Sequence, residues 1–124
     1  MKKSKVQIES EVSEAIIRFE KEYMGRGPVE TRTYVLEDII LVRLSSVLTK
    51  AEIQLVKGTD SVRGRDLIKE IRIQLLENGR PLLEAVVEDI TGCKVISLHT
   101  DISTITGERV ILFTLDRALT ILNA

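Results

Sequence analysis

The chain has 124 residues, 44% of them hydrophobic, with 18 basic side chains against 19 acidic ones. That length and composition predict a single domain over residues 1–124, globular without disulfide staples, burying roughly two-thirds of the surface its unfolded chain exposes. A net charge of −1, one cysteine, 3% aromatic residues and no apolar run near the ~20 residues of a membrane span exclude a strongly basic nucleic-acid binder, an internal disulfide, a base-stacking platform and a transmembrane carrier.

The basic start Met1-Lys2-Lys3-Ser4-Lys5 is not followed by the apolar segment of a signal peptide, so the expected location is cytoplasmic. Ser4 with Gln7 has the form of a capping box, and Ile8, Val12, Ile16, Phe19 and Tyr23 recur at helical spacing. A first helix is predicted over about residues 5–24, with Glu9, Glu11, Glu14, Arg18 and Lys21 on its wet side and Gly25 ending it. Gly25-Arg26-Gly27-Pro28 reads first as a helix stop and a rigid entry into a strand. Two glycines and an arginine also suit an anion, through backbone amides and one guanidinium. No strand precedes these glycines and no helix follows them, so neither a Walker loop nor a dinucleotide fingerprint fits.

Val29 to Leu36 has the Val, Thr and Tyr content of a strand. After a turn at Glu37-Asp38, Ile39 to Leu44 is apolar on both faces, which places it inside a sheet, in an antiparallel hairpin. Thr49 and Glu52 form a capping box, with Leu48 and Ile53 as a hydrophobic staple, and this second helix ends near Lys57-Gly58. Gly58 to Gly64, polar and bracketed by glycines, is expected to be a mobile loop. From Arg65 the helical period returns in Leu67, Ile68, Ile71 and Leu75. It resumes after Pro81 in Leu82, Leu83, Val86, Val87 and Ile90, which predicts one helix kinked at Pro81 and ended by Thr91-Gly92. Cys93–Thr100 and Glu108–Leu115 form a second hairpin, expected at the sheet centre, and Asp116 caps a last short helix through Ala118, Leu119 and Leu122. The fold class is therefore α/β of the α+β type: two layers, a mainly antiparallel four-stranded sheet of two hairpins packed against helices, in the order α-β-β-α-α-β-β-α.

Chemistry-bearing residues are few. His99 and Asp101, two apart on a strand, share a face, and Thr100, Ser103, Thr104, Thr106 and Arg109 surround them in sequence. The preferred reading is a solvated hairpin loop whose hydroxyls and Asp101 bond their own backbone. Behind it stands a small-anion site built from Arg26, Gly27, His99, Asp101 and Arg109, and last a general base oriented by a carboxylate. No nucleophile sits at a recognisable spacing, so no catalytic residue is assigned and no enzyme is expected. Cys93, without a second cysteine, reads as a small buried thiol rather than a metal ligand, and no metal or cofactor is expected. Arg63, Arg65, Lys69, Arg72 and Arg80, diluted by Asp66, Glu70 and Glu77, read as a salt-bridged helix surface rather than a nucleic-acid stripe.

Taken in order, Tyr23-Met24-Gly25-Arg26-Gly27-Pro28, Asp38 to Leu44, Val47-Leu48-Thr49-Lys50-Ala51-Glu52, Arg80-Pro81-Leu82-Leu83 with Thr91-Gly92, and His99 to Ser103 leading to Gly107-Glu108-Arg109 resemble the MpsC-like family of small bacterial proteins. The resemblance covers roughly Val6 to Leu115. It implies an accessory or regulatory soluble subunit of a system described as sodium-translocating and membrane-potential-generating, linked to inorganic carbon supply, whose transport components are other, membrane-embedded proteins. It brings no catalytic residues. Membrane transport components and a second copy of the chain, joined at sheet edges, are the partners expected. The alternative is a ligand-sensing module, which requires the Gly25–Pro28 and His99–Arg109 loops to converge.

Overall fold

Ser4 opens the first helix, its hydroxyl accepting from the amide of Gln7. In a computed structural model describing residues 3–122, the chain runs β1 (Lys3–Ser4), α1 (Lys5–Met24), β2 (Glu30–Leu36), β3 (Ile39–Ser45), α2 (Lys50–Lys57), α3 (Ser61–Thr91), β4 (Val95–Ile102), β5 (Arg109–Leu115) and β6 (Ile121–Leu122). Strands β2, β3, β5 and β4 form, in that order, one antiparallel sheet. The helices cover one of its faces. This is the α+β, two-hairpin arrangement the apolar periodicity predicts, in the predicted order as far as Leu115.

Alternation along the strands decides which residues are covered. Val35, Ile40, Val42, Leu44, Leu98, Ile102, Ile111, Phe113 and Leu115 point inward and are buried. They meet Ile8, Val12, Ile16 and Phe19 of α1 and Ile68, Leu76, Leu83 and Val87 of α3. Burying each large aliphatic or aromatic side chain contributes about 1.5–3 kcal/mol, so this layer is the main source of stability. Both αL caps form as expected, at Gly25 (φ 80°) and Gly92 (φ 72°). The capping box of α2 forms too, with both Thr49 and Glu52 bonded.

Four expectations are corrected. The loop expected over Gly58 to Gly64 is only a turn at residues 58–60: α3 begins at Ser61, and Asp60 caps it by accepting from the Arg63 amide. The buried stripe of α3 is Gly64, Ile68, Arg72, Leu76, Gly79, Leu83 and Val87, while Leu67, Ile71 and Leu82 face solvent. A basic and two glycine positions thus belong to the packed side, where a purely apolar search rejects them. As expected, a single helix runs through Pro81, which lies on the exposed side, so the Glu77 carbonyl left without a donor can be solvated. At the carboxyl end, residues 116–120 form a bend and irregular chain rather than a helix, and β6 pairs in parallel with β1. Of the second hairpin, β5 is internal but β4 is an edge strand.

Candidate functional site: a cationic pocket above a buried charge cluster

The chain leaving β3 makes the site. Ser46 adopts φ 56°, a left-handed conformation uncommon for a residue with a Cβ. It turns the backbone so that the Val47 amide donates to the Gly107 carbonyl at 3.0 Å, joining this segment to the β4–β5 loop. Arg26, from the loop after α1, donates from Nη1 to the Leu48 carbonyl at 2.6 Å. The two loops that the ligand-sensing alternative requires therefore meet, at Arg26 and at Thr104–Gly107. They line one pocket of about 480 Å³ with Lys57 at the end of α2 and Arg65 in the first turns of α3. Leu48, Ile53, Val56 and Ile105 supply an apolar wall, and Ser46, Ser61, Thr104 and Thr106 supply hydroxyls. Among the described residues, no acidic side chain lines it.

Below this pocket lie four charges in the protein interior. Arg72 donates from Nε to Glu52 Oε2 at 2.9 Å, from Nη2 to Glu52 Oε1 at 2.6 Å, and from Nη2 to the Val47 carbonyl at 2.8 Å. It so ties α3 to the cap of α2 and to the segment under the pocket. Glu20 of α1 is wholly buried, 3.6 Å from Arg72 Nη1 and 3.8 Å from Arg109 Nη1. These separations are ion pairs without hydrogen bonds, and both Glu20 oxygens and both Nη1 atoms lack a hydrogen-bond partner. Arg109 is held instead by its Nε, which donates to Thr100 Oγ1 at 3.1 Å.

Burial pushes the Glu20 carboxyl above the ordinary carboxylate range, against the pull of Arg109 and then Arg72. Burial likewise draws the Arg109 guanidinium below its usual value, against Glu20. Glu52 differs. Burial pushes it up, but the hydrogen bonds from Arg72 and the Thr49 amide outweigh that, and its carboxyl lies below the ordinary range. A carboxyl depressed on folding stabilises the native state above its unfolded value, and that stability is lost as pH falls through the folded one. Glu52→Gln is accordingly expected to cost about 2–3 kcal/mol at neutral pH and progressively less below the carboxylate range, as read from urea melts at both pH values. An equal cost at every pH would remove the ionised carboxylate as the cause.

The other expected site residues do not join this pocket. His99 and Asp101 lie on the opposite face of β4. Asp101 accepts from its neighbour's amide at Ile102 and pairs with Lys69 Nζ at 3.4 Å. Ser103 and Thr106 accept from backbone amides within their own loop, as the solvated-hairpin reading holds. Gly27 packs beside the Lys21 side chain. Arg109, expected at the mouth of a loop, is 2% exposed and belongs to the core. It opens β5 at the inward phase of the alternation, opposite Ile102, so its side chain enters the helix layer. Arg72, expected on a salt-bridged surface, is buried as well. Lys57 and Arg65 escaped the sequence reading of this pocket because only the α2–α3 turn brings them beside Arg26. The short spacing of Gly58 and Gly64 was their one signal. Cys93 is a buried free thiol.

The pocket presents three cations and several hydroxyls together with an aliphatic wall. It holds neither a thiol nor an imidazole, and no carboxylate able to act as a base. No helix among the described residues is long and apolar enough to cross a membrane. Residues 4–117 match the family described as "Na+-translocating membrane potential-generating system (MpsC)". The chain is 49% identical over 115 residues to "Uncharacterized protein YbcI" of Bacillus subtilis (strain 168), covering 93% of this chain and 90% of that one. No solved structure matches it.

Proposed function

The chain belongs to the MpsC family, and from that premise we propose that it is a non-enzymatic accessory or regulatory domain of the cytoplasm serving a membrane ion-transport system, with a small anion as the signal it reads. The observation that carries this reading is the convergence of Arg26, Lys57 and Arg65, from three separate parts of the chain, on a cavity with one aliphatic wall. Arg65 has only a long, exposed pairing with Asp66 at 4.0 Å, and no carboxylate stands in the lining itself, so the gathered cations favour an anionic guest. The aliphatic wall favours a guest with a short apolar portion beside its charge. Among the described lining residues the hydroxyls have no imidazole, thiol or carboxylate beside them to activate them, which favours binding over turnover.

Thermal unfolding in the presence of inorganic phosphate, and separately of a short-chain alkyl phosphate, tests the reading. Both ligands are expected to raise the melting temperature in a saturable manner, the alkyl phosphate at lower concentration. Arg65→Ala and Arg26→Ala are each expected to weaken the apparent affinity by about tenfold, the worth of one charge-assisted contact. Arg65→Ala is the cleaner variant, because Arg26 also holds the Leu48 carbonyl. No stabilisation by either ligand, or equal stabilisation of the wild type and Arg65→Ala, would set the anion reading aside.

A further inference from the structure

The sheet has a second face, and nothing among the described residues packs on it. Alternation and register place its residues in rows across the four strands. Tyr34, Leu41, Leu112 and His99 form a middle row. Leu36, Ile39, Thr114 and Ser97 lie on one side of it, and Arg32, Arg43, Val110 and Asp101 on the other. Tyr34 is 37% exposed and Leu36 51%, while Leu41, Val110 and Leu112 are half-buried only by their neighbours in the sheet. The centre of this face is thus apolar, and its charged row carries opposite signs at its two ends: Arg32 on β2, Asp101 on β4. Each has a partner in its own chain, Glu30 at 2.6 Å and Lys69 at 3.4 Å, yet the two side chains stay 66% and 76% exposed and open to a second contact.

We propose that this face is the interface of a homodimer, in which a second copy of the chain packs sheet against sheet about a two-fold axis running along the strands between β3 and β5. Such an axis keeps each row opposite itself and reverses the strand order. Leu41 then meets the Leu112 of the second copy, Tyr34 meets His99, and Arg32 meets Asp101, each contact occurring twice. Aligned packing of twisted sheets about 10 Å apart is a standard geometry, and it leaves room for these side chains to interdigitate. Charge complementarity selects this axis. Rotation about the sheet normal's perpendicular in the other direction, across the strands, would remove Arg32 from Asp101.

Two observations favour the face over the sheet edges. On the edge strands, the amides of Val35, Val95 and Ile102 already donate to the carboxylates of Glu9, Glu88 and Asp101, which blunts both edges against strand addition. The face is also broader than either edge. Four strands of seven or eight residues span roughly 20 by 23 Å, about 460 Å² in projection, which suits a small, weakly associating pair rather than the ~800 Å² per partner of a standard interface. The exposed apolar residues of the helix layer, Leu55 of α2 and Val62, Leu67, Ile71, Ile73 and Leu82 of α3, are interrupted by exposed polar and charged side chains such as Arg63 and Asn78.

Sedimentation velocity over a concentration series, with circular dichroism to establish folding, tests the proposal. The wild type is expected to be a dimer, and Leu112→Lys a folded monomer, since it sets a charge at the centre of the apolar row. Arg32→Asp places like charges opposite one another twice and is expected to weaken association by at least about tenfold. Arg32→Asp combined with Asp101→Arg restores the pairing and is expected to recover it. A monomeric wild type at high micromolar concentration overturns the dimer. A Leu112→Lys variant that stays dimeric overturns the face, and a double variant no tighter than Arg32→Asp overturns the axis.

Discussion

Glu20→Leu is expected to destabilise the protein by about 3–5 kcal/mol, and Arg109→Met by less, while the two together are expected to fold within about 1 kcal/mol of the wild type or above it. Glu20 and Arg109 are 0% and 2% exposed, and they attract one another across 3.8 Å without a hydrogen bond. Such a pair recovers little of its desolvation cost, so replacing both members with apolar side chains of similar volume removes a penalty along with the attraction. Removing only Glu20 leaves Arg109 charged in the core, with the Thr100 hydroxyl as its bonded partner, and a guanidinium cannot escape by losing its proton. Removing only Arg109 leaves Glu20, which can become neutral, and burial already pushes it that way. The asymmetry between the single variants should therefore widen towards acid pH. A carboxyl whose pKa rises on folding favours the native state when protonated, so the wild type loses stability as pH rises from the ordinary carboxylate range through the raised value of Glu20. The double variant lacks that fall. Chemical denaturation of the four proteins of the cycle at acid and neutral pH checks the matter, and simple additivity of the two single costs would refute the coupling.

That charge cluster also marks where reading the chain by periodicity stops. Ile8, Val12, Ile16 and Phe19 were legible because burial and the 3.6-residue period agree there. The same holds for the apolar strands and for Thr49 with Glu52, where a local hydrogen-bond pattern fixes the helix start. Arg72 and Arg109 were not legible. Each obeys its element's period, but a charged side chain in an inward position is recognised only once its partner is known, and Glu20 and Glu52 arrive from other helices. Arg26 was identified from two flanking glycines. Its companions Lys57 and Arg65 were not, since nothing local to α2 or α3 says that their junction folds against the loop after α1. The final helix failed for a related reason. Asp116 accepts from the Lys94 amide across the sheet instead of capping its own segment, and the Leu119 amide is taken by the Glu37 carbonyl. Tertiary partners there outcompete a short helix, which has little stability of its own.

Gly64→Ala is the substitution whose sign best separates local from tertiary reading. By helix propensity alone, alanine at an interior position of α3 should stabilise the protein by about 1 kcal/mol. In the fold, a Cβ at Gly64 would lie 2.2 Å from the Leu55 carbonyl oxygen and 2.8 Å from its carbon. The obstacle is backbone, so it cannot be relieved by a rotamer change. α2 must move off α3, and the expected net effect is a loss of about 1–3 kcal/mol. The displacement reaches the pocket as well, because Ile53, Val56 and Lys57 of α2 and Ser61 and Arg65 of α3 line its two sides. Phosphate-induced stabilisation should therefore weaken in Gly64→Ala although no lining residue is changed. The control is Gly58→Ala, three residues from the α3 start, where the nearest contact of an added Cβ is an ordinary 3.4 Å from the Gln54 carbonyl, so both stability and anion response should stay near those of the wild type. A Gly64→Ala protein more stable than the wild type would mean that the two helices are held apart, and the close approach that positions Lys57 beside Arg65 would have to be abandoned.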